Sequence, residues 1–228
     1  MRDVIIACDF ADRKDLDNLL VNLQDARPYL KIGMEMYYRY GYALVEELKD
    51  KGYKVFLDLK LHDIPNTVAS AIRVIASLKT DIVNVHASGG VEMMKRAVNE
   101  VKNISPTTKV IAVTQLTSTS EDMLNKELLI EHSMETTVRH YATLAKTAGL
   151  DGVVCSALEV PIIKELGLLS VTPGIRFLGG SQDDQKRVVT PAKARLLGSD
   201  YIVVGRAITS SSNILQSYNQ AVNEFCKD

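Results

Sequence analysis

Cysteine is scarce in this chain of 228 residues, and its three copies, Cys8, Cys155 and Cys226, are odd in number and widely spaced. That pattern excludes a disulfide framework and a zinc site, so the thiols read as reduced packing residues. An excess of charge is missing as well, because acids and bases are interspersed and leave a formal charge of -1. Without a basic stripe or acidic tail there is no footprint for nucleic acid or a membrane surface, and a small-molecule partner is expected. No apolar run approaches the roughly 18 residues of a membrane span. The opening Met1-Arg2-Asp3-Val4-Ile5-Ile6-Ala7-Cys8-Asp9 meets an acid too early for a signal-peptide core. A cytoplasmic location is expected.

Linkers rich in Pro, Gly or Ser are lacking, which predicts one domain over residues 1–228, and 46% apolar content can supply a sizeable core. Short β-branched runs recur at Val4 to Cys8, Leu30 to Ile32, Lys54 to Leu57, Ile82 to Val85, Lys109 to Val113, Gly152 to Cys155, Leu169 to Val171 and Tyr201 to Val204. Between them lie segments with helical apolar spacing, such as Leu16, Leu19, Leu20, Leu23 and, near the end, Ile214, Leu215, Tyr218, Val222, Phe225. Nearly all-apolar strands alternating with helices indicate a parallel sheet covered on both faces. Eight such units predict an α/β fold of the (β/α)8 TIM barrel type. The alternative, a doubly wound open sheet, is disfavoured because Asp9-Phe10-Ala11-Asp12, and no G-x-G-x-x-G, follows the first strand.

In a barrel, polar residues that end the strands converge on one mouth. These are Asp9, Lys31, Asp58 with Lys60, His86, Thr114 to Thr117, Ser156, Thr172 and Gly205-Arg206. Alternation along a strand puts Asp58 and Lys60 on one face and Leu57, Leu59 and Leu61 on the other, whereas Asp63 breaks that parity. Lys31 stands alone in Tyr29-Leu30-Lys31-Ile32-Gly33 and needs a carboxylate partner, for which Asp58 is the candidate. Alternating Lys and Asp would keep each group charged despite partial burial. His86 reads as a packed strand-end histidine, His62 as a neighbour of the charged cluster, and no serine sits in a nucleophile elbow.

The chain's end suggests a phosphate site. Val203-Val204-Gly205-Arg206 runs an apolar strand into a glycine and a forked donor, and barrels often bind phosphate after their last two strands. Thr172-Pro173-Gly174-Ile175-Arg176 and Gln185 would flank the same rim. Two connections are long, Thr114 to Met134, with an N-cap region at Thr117-Ser118-Thr119-Ser120-Glu121, and Pro173 to Thr190. Segments of this length are often binding loops or lids.

Phe56-Leu57-Asp58-Leu59-Lys60-Leu61-His62-Asp63-Ile64-Pro65-Asn66-Thr67 resembles the signature of the orotidine 5'-phosphate decarboxylase family. Cys8-Asp9-Phe10, Lys31-Ile32-Gly33-Met34-Glu35, Val83-Asn84-Val85-His86-Ala87, Val113-Thr114-Gln115-Leu116-Thr117-Ser118, Asp151-Gly152-Val153-Val154-Cys155-Ser156, Thr172-Pro173-Gly174-Ile175-Arg176 and Val204-Gly205-Arg206 follow the bacterial form of that family in order.

The resemblance implies a homodimeric carboxy-lyase converting orotidine 5'-monophosphate to UMP and carbon dioxide, with no metal and no organic cofactor. It implies a charged array of Lys31, Asp58, Lys60 and Asp63, with Asp63 entering the neighbouring subunit's site, which would explain its parity. By the same resemblance Lys60, kept protonated by Asp58 and Asp63, is the proton donor. Asp9 and Lys31 hold ribose hydroxyls, Thr67 crosses over with Asp63, and Thr117 meets the pyrimidine. Arg176, Gln185, Gly205 and Arg206 surround the phosphate, under a closing loop from Pro173 to Gln185. Two rivals share the barrel: a metal-using sugar-phosphate decarboxylase or hexulose-phosphate synthase, and a non-catalytic phosphoribosyl-binding protein. Ile64-Pro65-Asn66-Thr67 and Leu116-Thr117-Ser118 favour the nucleotide enzyme over the first, and the presence of every charged member of the array speaks against the second.

Overall fold

Each β-branched run forms a strand in the computed structural model, which describes residues 2–178 and 188–227. The strands are β1 (Asp3–Cys8), β2 (Tyr29–Gly33), β3 (Lys54–Leu61), β4 (Ile82–His86), β5 (Lys109–Val113), β6 (Gly152–Val154), β7 (Leu169–Thr172) and β8 (Tyr201–Val204). All pair in parallel with their sequence neighbours, and β8 returns to β1 to close an eight-stranded barrel. The connecting helices are α1 (Arg13–Asn22), α2 (Met34–Asp50), α3 (Pro65–Ala76), α4 (Gly90–Ile104), α5 (Glu121–Lys126), α6 (Met134–Thr147), α7 (Val160–Glu165), α8 (Pro191–Leu197), α9 (Arg206–Thr209) and α10 (Ile214–Cys226). Among the described residues no helix is long and apolar enough to cross a membrane.

Strand alternation divides the core in two. Inside the barrel lie Ile5, Ala7, Tyr29, Phe56, Ile82, Ile111, Val171 and Val203. The alternate residues, such as Val4, Ile6, Leu30, Ile32, Val55, Leu57 and Val83, face outward against Leu16, Leu19, Met36, Leu48 and Ile72 of the helices. Both faces of each strand are therefore dry, which is why the strands read as continuous apolar runs. Cys8 and Cys155 are buried here, and burial pushes the Cys8 thiol up to about 12, far from reactivity at neutral pH.

At the strands' N-terminal end one device recurs three times. Asp81, Asp151 and Asp200 each stand one residue ahead of an even-numbered strand. Their carboxylates accept the N–H of the second residue of the preceding strand, from Val55 at 2.8 Å, Val110 at 2.8 Å and Ser170 at 2.9 Å. Each also meets a lysine near the end of a helix, Lys49 at 2.6 Å, Lys102 at 3.0 Å and Lys164 at 2.7 Å. The carboxylate thus satisfies a backbone donor that the sheet leaves unpaired and ties a helix to it.

The two long connections start from well-defined stems. Ser120 caps α5 by accepting the Met123 N–H at 3.2 Å, as the run of hydroxyl residues suggested. After β7, Ile175 bridges Val189 in parallel, with Arg176 N–H donating to Val189 O at 3.0 Å and Val189 N–H to Gly174 O at 3.2 Å. Gln185 lies outside the described residues.

Candidate active site

β3 is where the structure departs from the sequence pattern. The apolar run stops at Leu57, but the strand continues to Leu61, as the alternation of Asp58 and Lys60 with the leucines implied, because its polar residues are paired inside the barrel mouth. Its register against β4 steps from Leu57 opposite Val83 to Leu61 opposite Val85, so β3 carries two extra residues there. Within this bulge Lys60 adopts φ +51°, a left-handed conformation that costs a residue with a Cβ roughly 1–2 kcal/mol. Its N–H, lost to the strand ladder, donates to Asn84 Oδ1 at 2.8 Å.

Around that bulge an alternating ion array forms. Lys60 Nζ lies 2.7 Å from Asp58 Oδ1, Lys31 Nζ 3.3 Å from Asp58 Oδ2 and 2.7 Å from Asp9 Oδ1. Asn84 Nδ2 adds a hydrogen bond to Asp58 Oδ1 at 2.6 Å. Lys31 and Asp58 are both buried, with side chains 10% exposed. Burial works against the charge on Lys31, but Asp58 and Asp9 outweigh it and raise its pKa above that of ordinary lysine. Burial opposes ionisation of Asp58 too, yet Lys31, Lys60 and the hydrogen bonds from Lys60 and Asn84 hold its carboxyl below the ordinary range. Both groups therefore stay charged at neutral pH.

Above the array opens a cavity of about 470 Å³, the size of a small-ligand site. Eight of the expected residues line it: Asp9, Lys31, Asp58, Lys60, Thr117, Arg176, Gly205 and Arg206. The charged array occupies the side built by β2 and β3, while Arg176 and Arg206 stand after β7 and β8. Barrel closure brings the two sides to one mouth. Gly33 permits the close approach of Asp9 to Lys31, since a Cβ there would stand 2.8 Å from Asp9 Oδ1 and 3.4 Å from Lys31 Nζ.

Asp63 and Thr67 do not line the cavity of their own chain; both are exposed, and Asp63 Oδ1 accepts the Ile64 N–H at 2.6 Å. Other strand-end candidates have structural duties. Ser156 forms a capping box with Glu159, Thr114 Oγ1 donates to Val154 O at 2.9 Å, and Thr172 Oγ1 meets Ser199 Oγ at 3.1 Å. His86 stacks on His62 at 5.6 Å and bonds Ser88 Oγ through Nδ1 at 2.6 Å. Burial, then His62 and Lys60, hold His86 below the ordinary histidine value.

Sequence reasoning missed Asn84 and Ser118. Asn84 carried a usable signal, because it shares the inward parity of Ile82 and is the polar residue of an apolar strand. Ser118 lines the cavity from the connection after β5, where no periodicity marks direction.

Known proteins match this architecture along its whole length. The profile of the family described as "Orotidine 5'-phosphate decarboxylase / HUMPS family" matches residues 2–221. Orotidine 5'-phosphate decarboxylase of Bacillus cereus (strain Q1) is 51% identical, covering 98% of this chain and 97% of the relative, and that of Bacillus anthracis (strain A0248) is equally similar. Among solved structures, orotidine 5'-phosphate decarboxylase from Lactobacillus acidophilus superposes with a TM-score of 0.88 at 39% identity, over 99% of both chains. An uncharacterized conserved protein from Geobacillus kaustophilus gives 0.86 at 45% identity, over 97% of this chain and 99% of that one. With barrel, charged array and sequence in agreement, this chain belongs to the orotidine 5'-phosphate decarboxylase / HUMPS family.

Proposed function

We propose that this chain converts orotidine 5'-monophosphate to UMP and carbon dioxide, the last step of de novo pyrimidine nucleotide synthesis. The observation that carries the reading is the array of buried Lys31 and Asp58 with half-buried Lys60 at the floor of a nucleotide-sized cavity, in a chain 51% identical to decarboxylases of that name.

In this reaction the bond between C6 and the carboxylate breaks, and its electron pair stays on C6 with no adjacent carbonyl to receive it. Asp58 would stand against the substrate carboxylate, where repulsion is relieved as carbon dioxide leaves. Lys60 would stabilise the developing negative charge and then transfer a proton from Nζ to C6, giving UMP. The resulting amine regains its proton from water. Asp9 and Lys31 would hold the ribose hydroxyls, and Thr117 the pyrimidine.

Arg176, Gly205 and Arg206, with Gln185, would bind the phosphate. Contacts there can assist chemistry at C6 by favouring closure of the connection from Pro173 to Gln185 and expulsion of water. Asp63 and Thr67 would serve the active site of a second copy. Supporting that reading, Ile64 beside them is 67% exposed, and Met34 and Tyr38 at the start of α2 are exposed as well. Exposed apolar side chains of this kind are what a homodimer interface covers. A cytoplasmic location accords with the substrate.

The test follows the absorbance of orotidine 5'-monophosphate with purified protein in EDTA. Turnover is expected; its absence sinks the reading. Turnover that needs an added divalent ion would instead favour the metal-using branch of the family.

A further inference from the structure

We infer that Asn84 is a positioning residue for this decarboxylation: its carboxamide spans the two-residue bulge of β3 and sets both the Lys60 ammonium and the Asp58 carboxylate. The inference rests on the function proposed above. Asn84 is 2% exposed and sits on β4 between Val83 and Val85, opposite the segment where the β3 ladder is interrupted. Its two polar atoms do different work. Oδ1 accepts the Lys60 N–H at 2.8 Å and so replaces the missing ladder bond that a left-handed Lys60 requires. Nδ2 donates to Asp58 Oδ1 at 2.6 Å, the oxygen that Lys60 Nζ also reaches at 2.7 Å.

One side chain must therefore donate and accept at once. Serine is too short to span both partners, glutamine is a methylene too long, and alanine leaves a buried N–H without an acceptor. With Asn84 absent, the bulge loses its tie to β4 and the ammonium loses its fixed distance from the carboxylate. The charged and titratable groups around this position are Lys31 on β2 with Asp9 beyond it, Lys60 on β3, and the stacked His62 and His86 beside Lys60.

Asn84→Asp supplies the discriminating experiment. Two carboxyl groups at this distance repel each other, so the pair holds a proton to higher pH than Asp58 does alone. While protonated, the new carboxylic acid donates to Asp58 and accepts from Lys60 as the amide does; once ionised, it repels Asp58. Turnover of Asn84→Asp is therefore expected to be highest on the acid side and to fall as pH rises, relative to wild type at each pH. Asn84→Ala should lose on the order of 10²-fold in kcat at every pH, with KM changing far less because the phosphate and ribose contacts persist. Wild-type kcat in Asn84→Ala, or a wild-type pH profile in Asn84→Asp, overturns the inference. A readout without turnover separates it from the functional reading: the Asp58 carboxyl carbon, followed by NMR and assigned with Asp58→Asn, should titrate at higher pH in Asn84→Ala. An unmoved titration overturns the inference even if wild type is active. A moved one supports it even if wild type is not.

Discussion

Lys60 Nζ lies 2.7 Å from Asp58 Oδ1, and the two residues, two positions apart in the strand, meet inside a bulge where Lys60 takes a left-handed backbone at φ +51°. Backbone strain of this kind persists where surrounding contacts over-determine it. Here those contacts are Asn84 to the Lys60 N–H and the ion pair itself. Lys31 on the far side of Asp58 completes an arrangement in which the carboxylate faces two ammonium groups.

Lys60→Ala should abolish nearly all turnover in a folded protein. Mixed with Asp63→Ala, which should also be impaired, it is expected to recover activity: in an equal mixture half the dimers are hybrid and each hybrid has one intact site, about a quarter of wild-type activity. Assay after dissociation and reassociation of the two variants checks this. No recovery would mean that Asp63 acts within its own chain.

Gly33→Ala places a methyl group 2.8 Å from Asp9 Oδ1. The Asp9 side chain, 61% exposed, can swing into solvent, but at the cost of its contact with Lys31. Steady-state kinetics should show KM raised roughly tenfold, the equivalent of one charge-assisted hydrogen bond, with kcat moved less.

Asp200 and Lys164 separate backbone satisfaction from charge pairing. The Asp200 carboxylate accepts from the Ser170 N–H and hydroxyl as well as from Lys164. Asp200→Ala strands a backbone donor and should cost about 2 kcal/mol in urea unfolding. Lys164→Ala, which removes only a partly exposed ammonium, should cost less than about 1 kcal/mol. Equal losses would contradict the assignment.

Glu47 links α2 to α1 through a forked contact with Arg13, whose Nη1 and Nη2 stand 2.8 Å and 2.6 Å from its two oxygens. Hydrogen bonds from Arg13 and then Lys51 hold the Glu47 carboxyl down to about 2. The folded value lies below the unfolded one, so the contribution is present above about pH 4.3 and is lost as pH falls toward about 2. Solvent screening keeps it small. The difference in urea midpoint between wild type and Glu47→Gln should shrink steadily over that window.

Much of this fold was legible because its strands are buried on both faces and sequential, so each left a short apolar run and none needed a distant partner to be seen. The charged residues were legible for the converse reason: Lys31 and Asp58 are expensive in an apolar strand unless they serve each other. The bulge in β3 was hidden, since it depends on the register against β4 and on Asn84, which takes the Lys60 N–H. Ser156, Thr114 and Thr172 resembled site residues because a strand-end hydroxyl can equally cap a turn or bond a neighbouring strand.

Covalent order alone determined which residues share a face of a regular strand, because alternation is a property of the extended backbone: on β2, Lys31 opposes Leu30 and Ile32. Tertiary structure decided the rest of the site. Asn84 is 26 residues from Asp58, and the register between β3 and β4 that joins them belongs to the pairing of two strands and is encoded in neither. Closure of β8 onto β1 likewise brings Arg206 to the mouth that holds Lys31. Distances across a barrel depend on how all its strands pack together, and no local pattern carries that information.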